Sequence, residues 1–423
     1  MQACEGWAFA VPRMSVAAQS ARRAALPALS LLAFMMAVGP FGDTEYTPAM
    51  PAMAKALHAD YGLVQFTMSS YLVGSSISQL IYGPASDRYG RRPVMLVGAV
   101  ILTFGALLCM ISFSIWPLIA GRLVQGVGAC AGGVIADAAV RDAFPAERRQ
   151  RVYAKLNAAF ALAPAIGPVV GTYVAHAFGW HANFAILLGL SLLLGGLVWF
   201  YLPETNRDLD ARALEISRLW RNGREVVTTR GFLFYVVLGG LCVGVVYTAL
   251  IGAPDLVINV LGMGSTAIAI VAGAILVAFV VGAGSCAWFT HRVPHLWIIA
   301  AGLAVIAGGA GALMGVAVLA GGKGSFAAYL LPIAICFVGV GLVVPVSTAK
   351  AMAPFGDTAG AASSLMGFIR MGVAALGTIA MSAMHKGSVY DIPIVFLALV
   401  VTAIVFYAAY LLVRGEPPKR KSG

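Results

Sequence analysis

Apolar residues run along this chain in long continuous stretches, not in the alternation of a half-buried strand or the single stripe of a soluble helix. Twelve such stretches can be drawn, at about 25–49, 63–83, 93–113, 117–140, 153–177, 182–202, 232–258, 264–288, 295–320, 325–348, 359–384 and 391–413. Each approaches the ~20 residues that carry a helix across a hydrocarbon core. A chain in lipid must satisfy its own backbone hydrogen bonds, which leaves helices or closed barrels. Barrel strands are shorter and alternate polar with apolar positions, so helices are expected. The predicted fold is all-α: a polytopic membrane protein of twelve transmembrane helices.

Polar positions divide these helices into two groups of six. The longest polar stretch, roughly 203–231, carries Arg207, Arg212, Arg218, Arg221, Arg224 and Arg230 and is expected to be a cytoplasmic linker, with room for a surface helix. The implied organisation is a cytoplasmic N-terminal segment (1–24), a six-helix bundle (25–202), the linker (203–231), a second bundle (232–413) and a basic cytoplasmic tail (414–423). Two halves of six spans are what an internally duplicated transporter presents. Residues 1–23 lack the unbroken apolar core and small-residue cleavage site of a signal peptide, and Met14 is an alternative start.

Composition strengthens this picture. Of 423 residues, 60% are hydrophobic and 11% charged, against the roughly 25% charged of soluble domains. The net charge of +11 would suggest nucleic acid in a soluble protein. Here its placement argues otherwise. With a cytoplasmic N-terminus, 23 of the 28 Lys and Arg fall on the inner side, and only Lys55, Lys323 and Lys386 on the outer. Arg122 and Arg370 lie within spans. This is the positive-inside pattern of a multi-pass inner-membrane protein with both termini cytoplasmic, and no nucleic-acid partner is expected. Cys109, Cys130, Cys242, Cys286 and Cys336 lie within apolar runs, without CxxC spacing, and read with Cys4 as small hydrophobes, not metal ligands or disulfides.

The chemistry-bearing residues are few. The turn after the second span reads Gly83-Pro84-Ala85-Ser86-Asp87-Arg88-Tyr89-Gly90-Arg91-Arg92-Pro93. Arg122, in the fourth span, costs about 2.5 kcal/mol or more in a bilayer and is a functional candidate by default. The alternative is snorkelling, since Trp116 marks an interface nearby. The first span ends in Asp43-Thr44-Glu45-Tyr46, at a depth similar to that of Arg122. Burial favours a protonated carboxyl and a nearby cation the ionised one, so Asp43 and Glu45 are candidates for reversible protonation. They differ by roughly 200° around a helix, so one is expected to face a cavity. The competing reading places both at the water interface. Asp255, after Pro254 in the seventh span, lines an outer cavity, takes part in coupling, or meets water. Arg370 reads as a second cavity charge or, preferably, a packing cation; Asp137 and Asp142 as cytoplasmic charges. Tyr46, Met68, Tyr71, Tyr247 and Met366 are candidate substrate contacts. The histidines form no ligand set, and no catalytic or nucleotide motif is present, so neither an enzyme nor a metal site is expected.

The turn resembles the loop signature G-x-x-x-D-R-x-G-R-R of the major facilitator superfamily, carried here by Gly83, Asp87, Arg88, Gly90, Arg91 and Arg92. In that family the loop latches the cytoplasmic side of the first bundle and helps control alternating access. Arg122-Leu-Val-Gln-Gly-Val-Gly128 is similar to its fourth-span motif, whose arginine is implicated in proton coupling. Pro164, Gly167, Pro168 and Gly171 resemble the fifth-span antiporter motif, with Ala163 and Thr172 where glycines are usual. Tyr46-Thr-Pro-Ala-Met-Pro51, Arg141-Asp142 and the stretch from Ala353-Pro-Phe355 to Arg370 resemble the bicyclomycin and chloramphenicol resistance (Bcr/CflA) branch. That branch carries an aspartate where Thr44 stands. The resemblance implies two bundles around a central cavity and proton-coupled export of small apolar or amphipathic drugs. It implies no cofactor beyond the proton gradient, and partners limited to the substrate, protons and lipid around a monomer. A narrow metabolite exporter or uptake symporter of the same fold is the alternative, and a membrane sensor or enzyme a distant one.

Overall fold

The computed structural model describes residues 26–414, apart from 265, 322–323 and 356–358. The segments 1–24 and 415–423, Cys4 and Lys323 lie outside the described residues. Helix accounts for nearly all of the rest, and no strand occurs among the described residues.

The first half holds α1 (Leu29–Thr44), a 3-10 turn (Thr47–Ala49), α2 (Met50–Ala56), α3 (Tyr61–Tyr89), α4 (Arg91–Met110), α5 (Ile115–Ala143), α6 (Ala146–Phe178) and α7 (His181–Tyr201). A short helix, α8 (Ile216–Thr228), lies in the linker. The second half holds α9 (Phe232–Pro254) with a π-helical extension (Asp255–Val260), α10 (Thr266–Phe289), α11 (His295–Ala320), α12 (Phe326–Met352), α13 (Ala359–Met384) and α14 (Asp391–Arg414).

Ten of these elements are long and apolar enough to cross a membrane. The exceptions among the twelve expected spans are the first two, for different reasons. The first is broken: Pro48 and Pro51 cannot donate backbone hydrogen bonds, and each opens a new helical segment after α1. The second, α3, is polar. It buries Gln65, Thr67, Ser69, Ser70, Ser75, Ser76 and Ser78 against protein, not lipid. Asp60 caps its start, accepting from the Gly62 N–H at 2.7 Å. Gly90 separates α3 from α4 at φ +96°, where a side chain would be strained, and a β-carbon there would also meet the Glu204 carboxylate.

Within the first half, α5 packs on α3 and α4, α4 on α7, and α1 on α5, α6 and α7. Within the second, α12 packs on α10 and α11, and α9 on α12, α13 and α14. The halves meet where α3 runs along α13 and α6 touches α10. The serines of α3 serve this seam: Ser69 Oγ donates to Thr378 Oγ1 at 2.8 Å, and Ser76 Oγ to the Phe368 carbonyl at 2.8 Å. Val97, Val100, Phe104, Leu193, Val277 and Val280 point outward, as lipid-facing side chains must.

Between the halves lies a cavity of about 1330 Å³. It runs from Asp43, Tyr71 and Tyr247 to a mouth lined by Asp87, Arg91, Arg141 and α8. At the other end α3 closes on the second half. Gln65 Nε2 donates to the Ile251 carbonyl at 3.1 Å, and the Tyr61 ring lies 4.9 Å from that of His385.

Candidate functional site

Arg122 does not snorkel. It is fully buried, with its guanidinium carbon 4.2 Å from the Tyr46 ring centre and 4.4 Å from that of Tyr71. Two ring faces offer a desolvated cation the negative side of their quadrupoles. Arg122 Nη1 also donates to the Gly42 carbonyl at 2.9 Å and to the Gln125 side chain one turn along. Glycines make this approach possible. A β-carbon on Gly126 would run into the backbone of Tyr71, and one on Gly128 into that of Leu102. The fourth-span motif thus brings α5 onto α3 and α4 and sets the arginine between two tyrosines.

The carboxylates beside it take different places. Asp43 lines the cavity, and Tyr247 donates its hydroxyl to Asp43 Oδ2 at 2.8 Å. This bond joins the halves across 204 positions of sequence. Glu45 is 1% exposed, and neither of its carboxylate oxygens has a hydrogen-bond partner among the described residues. Its carbonyl accepts from Asn183 Nδ2 at 3.2 Å. One carboxylate faces the cavity and one does not, as the helical offset predicts. The reading that left both in interfacial water is excluded by their burial.

The antiporter-like motif reaches the same place from α6. A β-carbon on Gly171 would strike the backbone of Glu45, and one on Gly167 the Thr44 hydroxyl. Pro164 lines the cavity, and the Pro168 carbonyl accepts from Thr172 Oγ1 at 2.8 Å. Close backbone contact between α6 and the end of α1 is therefore built into these two glycines.

Among the expected substrate contacts, Tyr71, Tyr247 and Met366 line the cavity. Tyr46 and Met68 do not: both are 0% exposed inside the first half. Tyr46 faces the arginine, with its hydroxyl 3.0 Å from Thr67 Oγ1. Asp255 is not part of the Arg122 group either. It lies toward the closed end, 3.8 Å from His385 Nδ1, with Asp391 at 3.3 Å from the same nitrogen. Asn259 donates to its other oxygen at 2.7 Å. The histidines that looked scattered in sequence thus include one held between two aspartates. Arg370, expected as a packing cation, lines the cavity instead, and so does Asp137.

At the mouth, Arg91 joins Asp87 at 2.5 Å and Asp142 at 2.8 Å, while Ser86 Oγ accepts from Arg91 Nη1 at 2.7 Å. Glu204, from the start of the linker, accepts from the backbone N–H groups of Arg91 and Arg92 at 2.9 and 3.1 Å. Nothing in its sequence context had marked Glu204. Arg92 lies over Trp199, and exposed Arg88 over Tyr89. A β-carbon on Gly83 would stand 2.8 Å from the Ser364 hydroxyl of α13. The turn therefore ties α3 to α4, α5 and the linker, beside the second half.

The chain is similar to known proteins in sequence and in fold. The profile of the Major Facilitator Superfamily matches residues 28–378. Multidrug resistance protein D of Escherichia coli is 31% identical over 350 residues, covering 80% of this chain and 84% of that one. A bicyclomycin resistance protein homolog of Haemophilus influenzae is 32% identical over 191 residues, 45% of this chain and 48% of that one. In fold, the chain resembles the crystal structure of a D-xylose-proton symporter, with a TM-score of 0.73 at 14% identity, covering 90% and 97% of the two chains. The chain therefore belongs to the Major Facilitator Superfamily, alongside its multidrug and bicyclomycin resistance branch, and is a multi-pass membrane transporter, not an enzyme.

Proposed function

We propose that this transporter exports small apolar or amphipathic drugs across a bacterial inner membrane in exchange for protons. It acts as a monomer with both termini in the cytoplasm, and its two bundles (25–202 and 232–413) rock about the central cavity. The observation that carries this reading is Asp43: a buried carboxylate on the cavity wall, bonded across the halves to Tyr247 and close to Arg122. A carboxylate accepts this bond more strongly than a protonated carboxyl does. Taking up a proton from outside weakens the tie and alters the preference of the halves for one another. Coupling needs such a difference, because a ligand bound equally by both states shifts nothing. Glu45 is the second protonation candidate, with Arg122 biasing both. The relatives named for multidrug and bicyclomycin resistance support drugs as cargo. The basic loops at the cavity mouth support an inward-facing state.

The test is accumulation of chloramphenicol and ethidium in pump-deficient cells expressing the protein, with and without an uncoupler. Lowered accumulation that the uncoupler restores is expected. Replacing Asp43 by Asn and Glu45 by Gln together is expected to remove proton-driven export. Export that survives this double change, still sensitive to the uncoupler, sinks the coupling proposal. No effect on either compound, with the protein in the membrane, points to a narrow metabolite exporter or an uptake system.

A further inference from the structure

Arg370 sits about midway along α13, roughly 16 Å from its start. That is near the middle of a hydrocarbon core of about 30 Å. It lines the cavity, yet no carboxylate lies within 4 Å of it among the described residues, and its Nε and Nη2 atoms are buried without a hydrogen-bond partner. The other cavity-wall arginines without an ion pair among the described residues, Arg141, Arg221 and Arg224, stand at the mouth beside the linker helix. Water can solvate them there. Arg370 lies deeper, and its Nε and Nη2 are out of reach of solvent.

Its seat is specific. The guanidinium rests on the bare backbone of Gly239 in α9, where a β-carbon would come within 2.8 Å of Nη2 and 3.0 Å of Nε. The Gln79 side chain packs close by, against Gly367 one turn earlier on α13. Asp43 and Asp137 line the same cavity, but neither pairs with it. Guanidinium stays protonated in proteins. A desolvated charge without a counter-ion is unfavourable, and retaining one on the wall of a binding cavity makes sense when the counter-ion arrives with the cargo. The fork of Arg N–H groups matches a carboxylate, sulfonate or phosphonate.

We infer that Arg370 is an anion-recognition residue, and that the preferred cargo is an amphiphile with an acidic head group. The head meets Arg370, and the apolar body lies against Val243, Tyr247, Phe337 and Met366. This inference rests on the reading of the cavity as a substrate pathway and narrows the class of molecule that enters it.

The experiment uses purified full-length protein in detergent at pH 7 and two fluorescent probes of one shape: dansyl-glycine, which is anionic, and its neutral methyl ester. The wild type is expected to bind the acid about tenfold more tightly than the ester. Arg370→Gln is expected to bind both equally, at the affinity of the wild type for the ester. Arg370→Lys should keep part of the preference, as a cation without the planar fork. Absence of a preference for the acid in the wild type overturns the inference and needs no variant, and weak binding of both probes counts as that absence. A preference that survives in Arg370→Gln overturns it as well. Failure of chloramphenicol export in cells, with the acid preference intact, removes the exporter reading and leaves the anion site standing. The reverse pattern removes the anion site alone.

Discussion

The molecule places one arginine in the membrane-spanning part of each half, and the two live under opposite conditions. Arg122 is enclosed: two tyrosine rings, a backbone carbonyl and a glutamine surround it, with two acids nearby. Arg370 stands on the cavity wall, and among the described residues its guanidinium has no ion pair, hydrogen bond or ring contact. In both, Nε and Nη2 lack a hydrogen-bond partner among the described residues; the difference is that the protein gives the Arg122 guanidinium two ring faces and two acceptors for Nη1, and gives Arg370 neither. A cation so enclosed can set the charge balance of its neighbours but is out of reach of a ligand. One on the cavity wall without such company gains when a complementary group enters. The first half is thus suited to hold the proton site, and the second to meet cargo.

The largest effect is expected from removing the enclosed arginine. Arg122→Ala loses two desolvated cation–π contacts and charged hydrogen bonds, together roughly 3–5 kcal/mol. Thermal unfolding in detergent should show a large drop, and transport should be lost. A drop no greater than that of exposed Arg88→Ala would break the contrast between the two arginines.

Gly171→Leu should come next. Its side chain would enter the backbone of Glu45, and overpacking of this kind costs about 1–3 kcal/mol. Export should fall more than about tenfold with protein still in the membrane; normal export would show that α6 and α1 need not approach closely. Tyr247→Phe removes one hydroxyl from the bridge to Asp43, worth about 1 kcal/mol, or about fivefold. A modest loss of uncoupler-sensitive export is expected while expression is unchanged. An undiminished rate would mean that the bridge between the halves does not contribute to coupling.

The smallest change in stability is expected at the open arginine. Arg370→Gln strands no partner among the described residues, so the melting curve should move by less than about 1 kcal/mol in either direction. A loss as large as that of Arg122→Ala would mean that Arg370 is held by packing, as its sequence context first suggests.

Much of the architecture was legible in the chain. The span from 359 to 384 and the span from 295 to 320 match α13 and α11 at both ends, and the remaining boundaries shift by up to seven residues. The Gly83–Arg92 turn, the fourth-span arginine and the glycines of α6 were recognisable as motifs. The linker helix was foreseeable from its charge. Less legible was which motif residues meet. Tyr46 and Met68 look like cavity residues by depth, but helix rotation points them into the first half. Asp255 looks like a cavity, coupling or interfacial acid, but the fold sets it beside His385 and Asp391. Glu204 has no local mark at all, because its role depends on a turn more than 100 positions earlier.

The sequence by itself determined that the chain is helical and crosses a membrane many times, and roughly where its apolar helices lie. That requirement is local: lipid demands about 20 apolar residues and a closed backbone hydrogen-bond ladder from each segment separately. It also fixed the placement of positive charge, which is a property of the loops. Only the tertiary structure decided which of two acids faces the cavity, that two tyrosines enclose Arg122, and that Arg370 is left open. Those outcomes depend on the rotation and close approach of helices that may be hundreds of residues apart in sequence. A few glycines set that approach, and their effect appears only once the partner backbone is in place.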